Sequence, residues 1–407
     1  MLEALIKTAI MIGGVMTAAA YFVLLERKMA AWAQDRIGPN RVGIPLTKIR
    51  LFGLGQPAAD GLKILLKEAQ TPSQVDRGLY LLAPIVILIA ALTTFAVIPF
   101  GNLIPAFELG PVKTDKPIEL NVAPGCGIGL LLVFALSSIA VYGVILGGWA
   151  SNSKYSFLGA LRSSAQLIAY ELPLGLGLLG VVVATGSLDL GEIIKEQANG
   201  VWFAFAQPLG CLVFTIAAFA EAARLPFDLP ECEQELVGGY HTEYSGIKLL
   251  MFLVAEYLHM VTAAFLIVIL FFGGWHVPFL TGTGEEVSWV RAIIAVAALS
   301  GKVTVLVAFM MLVRWTWPRF RFDQLMSLGW KIMLPLGLVN FLTIAVLFEL
   351  RKAVDPQFES VLWAFIVIAA TWLIGGIAWL IVSLAGTVVT DNRPRTDLSP
   401  FEVDNPL

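Results

Sequence analysis

The sequence predicts an all-α, polytopic membrane protein with about nine transmembrane helices and one interfacial amphipathic helix. Hydrophobic residues make up 58% of the 407 residues, and only 14% are charged. The mean hydropathy is +0.81, and an ordinary globular chain is only about 45 to 50% apolar. In addition, nine stretches are long and apolar enough to approach the roughly 20 residues that a helix needs to cross a bilayer.

The predicted spans follow one another along the chain with loops of varied length. They cover approximately residues 5–25, 79–99, 125–148, 164–186, 203–223, 249–272, 291–312, 332–349 and 361–385. The fourth is the least apolar, since it carries Gln166 and Glu171, and the eighth is short. No small-residue cleavage site follows the first stretch, so we expect it to remain as a span. The pattern predicts one transmembrane domain over residues 1–390 and a polar cytoplasmic tail over 391–407.

The distribution of Lys and Arg predicts the orientation. If the N-terminus is periplasmic, the segments facing the cytoplasm hold 19 basic residues and those on the other side hold 6. Cytoplasmic loops carry the excess of Lys and Arg. We therefore expect a periplasmic N-terminus and a cytoplasmic C-terminus. A net charge of −3 gives no indication of nucleic-acid binding.

A short amphipathic segment lies in the long first cytoplasmic loop. Between Gln56 and Glu68, apolar residues recur at helical spacing, and Asp60 falls on the opposite face. About 13 residues are too few to span the bilayer, so the segment should lie along the membrane surface. A helix packed on a partner subunit is an equally good interpretation.

An acidic run follows the fifth span. It comprises Glu221, Asp228, Glu231, Glu233, Glu235 and Glu243. The predicted orientation places it at the cytoplasmic side, in the same half of the membrane as three further acids, Glu26, Glu171 and Glu256. A carboxylate inside the bilayer costs about 2.5 to 3.5 kcal/mol on insertion scales, so a group of them indicates a functional polar interior.

Neighbouring buried carboxylates cannot all stay ionised, because burial and like charge both raise a carboxyl pKa. Such a group would share protons, which is the behaviour of a proton relay. The alternative is that each glutamate pairs with a basic residue and only fixes helix packing. Arg27, Arg224, Arg314 and Lys302 are available as partners, and Lys302 could instead belong to the relay.

Other patterns carry less information. The turn-rich segment Arg36–Gly43 offers two Arg side chains at the interface, as an anion-binding loop or as a simple cytoplasmic anchor. Three cysteines are too few for an iron-sulfur cluster, which normally needs four protein ligands. The histidines lack paired metal-ligand spacing. The glycines at 175, 177 and 180 match a dinucleotide fingerprint but lie in an apolar span, where helix packing explains them better.

Long ordered motifs cover nearly the whole chain. They comprise ERK at 26–28, RIGPNRVG at 36–43, QPAADGLK at 56–63, LRSSAQ at 161–166, YE at 170–171, LPFDLPE at 225–231, EQEL at 233–236, YH at 240–241, EYSG at 243–246, RFRFDQLM at 319–326 and LGWK at 328–331. Together these motifs resemble the H-type membrane subunits of bacterial respiratory complex I, the NADH:quinone oxidoreductase.

The resemblance implies a translocase subunit without a redox centre of its own, in the bacterial inner membrane. Loops 26–78 and 224–248 would line a chamber for quinone, either ubiquinone or menaquinone, while flavin and iron-sulfur clusters sit in other subunits and this chain binds no metal. Partners would be hydrophilic-arm quinone-site subunits, small membrane-arm subunits and lipid. The implied proton relay is Glu171, Glu221 and Glu256. The implied chamber residues are Glu26, Arg27, Arg36, Asp60, Arg224, Asp228, Glu231, Glu233, Glu235 and Glu243.

Some positions depart from the family pattern. Ala223 stands where Asn is common, Ala69 stands where an acid is common, residues 45–52 lengthen the first loop, and many members lack the ninth span. Two other functions stay open at this point: the equivalent subunit of a membrane-bound hydrogenase or ferredoxin-oxidising complex, and a passive docking scaffold. The motifs at 36–43 and 319–331 favour the quinone-linked branch.

Overall fold

The computed structural model describes residues 2–43, 52–106, 108–109, 112–113, 117–229, 233–278, 280–282, 288–354 and 361–385. Three predicted features fall wholly or mostly outside these ranges: the loop extension at 45–52, the acid Glu231 and the tail at 391–407. Glu233 lies in a described helix, but its side chain is not described.

Within the described residues, eight helical segments are long and apolar enough to cross a membrane, which confirms the all-α membrane class. The long helices are α1 (Leu2–Ala33), α3 (Arg77–Thr93), α4 (Gly129–Ala150), α5 (Lys154–Thr185), α10 (Ile247–Phe271), α11 (Trp289–Thr316), α13 (Leu334–Val354) and α14 (Val361–Ala385). The shorter helices are α2 (Gln56–Leu66), α6 (Leu190–Asn199), α7 (Phe203–Ala206), α8 (Pro208–Glu221), α9 (Glu233–Leu236) and α12 (Phe322–Ser327).

The fifth predicted span is interrupted. The sequence suggests one helix over 203–223, whereas the structure has the single turn α7, a break at Gln207 and then α8. Gln207 leaves the helical conformation, with φ −136° and ψ 64°, and Pro208 has no N–H to continue the hydrogen-bond ladder. The 14 residues of α8 extend about 21 Å, which is short of a hydrocarbon core about 30 Å thick.

Helix α14 contacts this break directly. Thr371 Oγ1 donates to Ala206 O at 2.8 Å, and Trp372 Nε1 donates to Phe205 O at 2.8 Å. Two backbone carbonyls that the break leaves without helical partners are thereby satisfied. The ninth predicted span is therefore integrated into the fold.

Short elements complete the chain. They are 3-10 turns at Thr94–Val97 and Gly239–His241, a π-helical segment at Leu328–Met333 and a small antiparallel hairpin pairing Glu108–Leu109 with Val112–Lys113. The predicted amphipathic helix is present as α2, which exposes Leu62, Leu65 and Leu66. Its apolar face is thus free to meet lipid or another subunit.

The centre of the fold is α10, which packs against α1, α3, α8 and α11. Every residue of α10 from Met260 to Phe271 is buried. Glycines permit close helix contacts: a Cβ on Gly143 would lie 3.0 Å from Ala83 O in α3, and one on Gly177 would lie 3.1 Å from Phe214 N in α8. The contact at Gly177 agrees with the packing interpretation of the glycine pattern in α5, whereas at Gly175 no atom lies within 4 Å of the position a Cβ would take. Thr262, the polar residue of this stretch, is therefore enclosed by protein.

Candidate functional site: a glutamate-lined cavity

Three helices bring the predicted relay acids to one cavity. Glu171 comes from α5, Glu221 ends α8, and Glu256 lies on α10. We call the space that these three side chains line, together with Ser137, Ser138, Tyr240 and His259, the glutamate cavity. About 50 Å³ of it is open to the centres of water molecules, several times the 10 to 15 Å³ that one buried water needs. The cavity can hold a short chain of waters between the carboxyl groups.

Two adjacent serines on α4 hold two of the acids. Ser137 Oγ bonds Glu221 Oε1, and Ser138 Oγ bonds Glu171 Oε1. A hydroxyl can donate to a carboxylate or accept from a protonated carboxyl, so both bonds survive a change of protonation. Within the described ranges, neither Glu171 nor Glu221 takes part in an ion pair. These two acids therefore neutralise no basic side chain within the described residues.

Glu256, the third acid, is hydrogen-bonded to the loop that precedes α10. Tyr240 OH donates to Glu256 Oε1 at 2.8 Å, and Tyr240 itself is buried, with its ring edge on Phe252 at a centroid distance of 5.4 Å. The neighbouring His241 is half-buried rather than a surface histidine, and burial lowers its pKa. The turn Gly239–His241 therefore connects Glu256 with the segment that carries the acidic run.

Glu26 behaves differently from the other intramembrane acids. Arg314 Nη1 forms an ion pair with Glu26 Oε1, and Tyr257 OH donates to Glu26 Oε2 at 2.5 Å. The pairing joins α1, α10 and α11. Glu26 therefore follows the alternative interpretation of the sequence, in which a glutamate pairs with a basic residue and fixes helix packing, and its partner is Arg314.

Asp228 is a buried acid close enough to Arg314 and to Glu256 to respond to the charge of both. Arg319 Nη2 is 3.3 Å from Asp228 Oδ2, and Asp228 Oδ1 is buried with no hydrogen-bond partner among the described residues. Burial raises the pKa of Asp228 from 3.8 to about 6, against the lowering effect of Arg319. The charge of Glu256 raises the same pKa further, so the loop acid and the cavity acid sense each other's charge.

The Arg319→Gln variant should lose stability more steeply as the pH rises. The pKa of Asp228 is higher in the folded than in the unfolded protein, so protonation of this carboxyl stabilises the fold. That stabilisation is complete below about pH 4 and is lost as the pH rises through about 6. Removing Arg319 takes away a charge that lowers this pKa, so ionising Asp228 then costs more. The midpoint temperature of the assembled complex should fall more between about pH 5 and about pH 8 than in the wild type.

Adding Asp228→Asn to Arg319→Gln provides the control, since the double variant has no carboxyl at this position to titrate. The steeper pH dependence should then disappear. Equal pH slopes for Arg319→Gln and the wild type would contradict the proposed electrostatic link.

The remaining predicted residues surround the loop end of the bundle. Arg27 Nη1 contacts Asp60 Oδ2 at 2.6 Å and joins α1 to α2. Arg224 lies over the Tyr257 ring, 4.3 Å from its centroid.

Glu235 is exposed and pairs with Arg162 at 2.5 Å. The backbone carbonyl of Glu243 accepts a hydrogen bond from Tyr80 OH at 2.7 Å. Arg36 is exposed in an open groove that Arg27 and Arg41 also line.

Several site residues are missing from the sequence-based prediction. Ser137 and Ser138 could have been noticed as adjacent hydroxyls within an apolar span, and His259 as a polar residue three positions after Glu256. Lys302, a suggested partner or relay member, instead donates to Phe272 O, Gly274 O and His276 O at 2.8, 3.0 and 2.7 Å. All three of its ammonium donors are used at the C-terminal end of α10, away from the glutamate cavity.

Comparison with known proteins gives consistent matches over most of the chain. A family model described as NADH dehydrogenase matches residues 6–345. A protein of Cytophaga hutchinsonii described as an H-type subunit of NADH-quinone oxidoreductase is 43% identical over 344 residues, covering 84% of this chain and 96% of the relative. The protein of the same description from Geobacter metallireducens is 46% identical over 347 residues, covering 85% and 97%. NADH-quinone oxidoreductase subunit 8 of Rhodothermus marinus is 44% identical over 346 residues, covering 83% and 94%.

Proposed function

The chain belongs to the NADH dehydrogenase family, and from that premise we propose that it is the H-type membrane-arm subunit of a proton-pumping NADH:quinone oxidoreductase. In this role it lines the quinone chamber and couples quinone reduction to proton translocation through Glu171, Glu221 and Glu256. The observation that carries the proposal is the glutamate cavity, where these carboxyl groups meet in a space with room for water.

The coupling follows from electrostatics. Two unit charges 4 Å apart interact by about 4 kcal/mol at an effective dielectric of about 20, and about 1.4 kcal/mol corresponds to one pKa unit. A change of charge beside Asp228 therefore shifts the proton occupancy of Glu256, whose charge acts on Asp228. Each electron that reaches the quinone adds one negative charge, and the two protons that complete the neutral quinol are taken from neighbouring groups, so reduction changes the charge at the loop end.

The chamber side is the set of charged residues in the first loop and after α8. This end of the bundle carries Arg27, Asp60, Arg224 and Asp228. Glu26 belongs to the same set and forms an ion pair with Arg314. Electrons would reach the quinone from NADH through flavin and iron-sulfur clusters of partner subunits. The hydrophilic arm would dock here and close the headgroup end of the chamber, while small membrane-arm subunits and lipid cover the lateral faces.

A photoreactive quinone analogue tests the chamber. In the intact complex, illumination should label peptides containing Arg27–Asp60 or Arg224–Asp228, and excess quinone should suppress the labelling. Helix α6, at the opposite end of the bundle, serves as the internal control and should stay unlabelled. Suppressible label found only on other subunits would contradict the placement of the chamber on this chain.

The electron donor separates the related alternatives. Vesicles containing the complex should acidify when NADH and quinone are supplied and should stay inactive with reduced ferredoxin or hydrogen. Activity with ferredoxin or hydrogen alone would assign the chain to one of the related complexes.

A further inference from the structure

A second, smaller cavity adjoins the glutamate cavity on the side away from the acidic run. About 20 Å³ of it is open to the centres of water molecules, enough for about one water. Its polar lining comprises Thr94, Ser137, Glu221, His259 and Thr262. Ser137, Glu221 and His259, together with Ala222, also line the glutamate cavity, so these four residues form the boundary between the two spaces.

His259 is the titratable base at this boundary. It follows Glu256 by three residues on α10 and precedes Thr262 by three, so successive polar groups stand about 4.5 Å apart along the helix axis. Among the described residues no protein group forms a hydrogen bond with His259. The titratable groups facing it are Glu221, which shares both cavities, and Glu171 and Glu256, which share the larger one. Its ring nitrogens are therefore available to water or to a carboxyl group.

A pair of hydroxyl groups forms the far side of the small cavity. Thr94 Oγ1 and Thr262 Oγ1 are 3.4 Å apart, and they bond the helix carbonyls Ala91 O and Leu258 O at 2.8 and 3.0 Å. Thr94 begins the 3-10 turn in which α3 ends. Apart from these threonines, the lining toward the far end of α10 is apolar, including Val133, Phe134 and Leu266. The polar path ends at the threonine pair in this conformation.

We propose that His259 and the Thr94–Thr262 pair form a proton branch that leads from the glutamate cavity toward the membrane face opposite the acidic run. A protonated Glu221 transfers its proton to a ring nitrogen of neutral His259, leaving a carboxylate and an imidazolium. The imidazolium then gives a proton to water at the threonine pair and returns to neutral, the hydronium ion so formed releases the proton toward the opposite membrane face, and Glu221 takes up its next proton from the glutamate cavity. No electron moves in this branch, and the proposal rests on the proposed relay function of Glu221.

Variants at Thr262 separate a hydroxyl role from a packing role. Thr262→Val keeps the shape and removes the hydroxyl, whereas Thr262→Ser keeps the hydroxyl and removes a methyl group. In the intact complex reconstituted into vesicles, Thr262→Val and His259→Asn should lower the rate of proton translocation at least about tenfold, because positioned proton-transfer groups contribute roughly 10² to 10⁴ in rate. Thr262→Ser should pump like the wild type.

Thr304→Val is the matched control, since the Thr304 hydroxyl is exposed and its one hydrogen bond to the described part of the chain goes to the carbonyl of Ser300, at 2.7 Å. It should leave pumping unchanged. If His259→Asn fails to assemble, the threonine series still decides the question. Normal pumping by Thr262→Val, or equal losses in Thr262→Val and Thr262→Ser, would overturn the branch.

Glu221→Gln in the same vesicles distinguishes this inference from the proposed function. A pumping defect in Glu221→Gln together with normal Thr262→Val would remove the branch and leave the relay standing. Full pumping in Glu221→Gln would overturn both.

Discussion

Replacing Glu221 by Gln should abolish coupled activity while the complex still assembles. The amide has nearly the same shape and can still accept a hydrogen bond from Ser137, but it cannot take up and release a proton. Glu171→Gln should behave in the same way through Ser138. We expect NADH-driven proton translocation to fall by about 10² or more, the usual contribution of a positioned proton-transfer group.

The measurement is acidification of sealed vesicles containing the assembled complex, with assembly checked on native gels. Glu192→Gln is the matched control, since Glu192 is an exposed acid on α6 whose partner is Lys195 at 2.7 Å. It should pump normally. Full pumping by an assembled double variant at Glu171 and Glu221 would rule out the relay and favour a passive scaffold.

The Gly159→Ala variant should disrupt the contact that positions Tyr240. A Cβ on Gly159 would lie 2.7 Å from Gly239 Cα and from Tyr240 N, closer than real Cβ atoms approach other atoms. Both neighbours are backbone, so α5 and the turn Gly239–His241 must separate and the bond from Tyr240 to Glu256 must weaken. Overpacking of this kind costs about 1 to 3 kcal/mol, and we expect loss of assembled complex together with loss of coupled activity.

Gly175→Ala on the same helix is the control, because no atom lies within 4 Å of the position a Cβ would take. Alanine in a helix is favoured over glycine by about 0.5 to 1 kcal/mol, so this variant should be as stable as the wild type or slightly more stable. Thermal denaturation and the yield of assembled complex check both variants. Equal behaviour of the two would contradict the close contact between α5 and the turn.

The sequence could predict the helices and the buried acids because both depend on local composition. A run of apolar residues specifies a span by its length, and a charge within it is conspicuous because it is costly. The break at Gln207 is not visible to hydropathy, which averages over Pro208. A hydropathy window reports only side-chain polarity. It therefore cannot register that the backbone nitrogen of Pro208 has no hydrogen to donate.

Partners that are distant in the chain could not be predicted. Arg314 is 288 positions from Glu26, and Ser137 is 84 positions from Glu221. Glu26 is ion-paired, whereas Glu221 forms no ion pair with the residues that the structure describes, and the neighbouring sequence does not identify Arg314 as the partner of Glu26. Likewise, the acidic run is continuous in sequence, yet the fold buries Asp228 and exposes Glu235. These differences arise from tertiary packing.

The contact between α14 and the α7–α8 break has a consequence for the depth of Glu221. Trp372 is the twelfth of the 25 residues of α14, so its bond to Phe205 O lies near the middle of that helix. Hydrocarbon tolerates interrupted backbone only where protein covers it. By covering the break, α14 anchors the start of the short helix that ends at Glu221. A segment beyond the family match at residue 345 thus helps to fix the position of α8, and with it the position of the carboxyl group at its end.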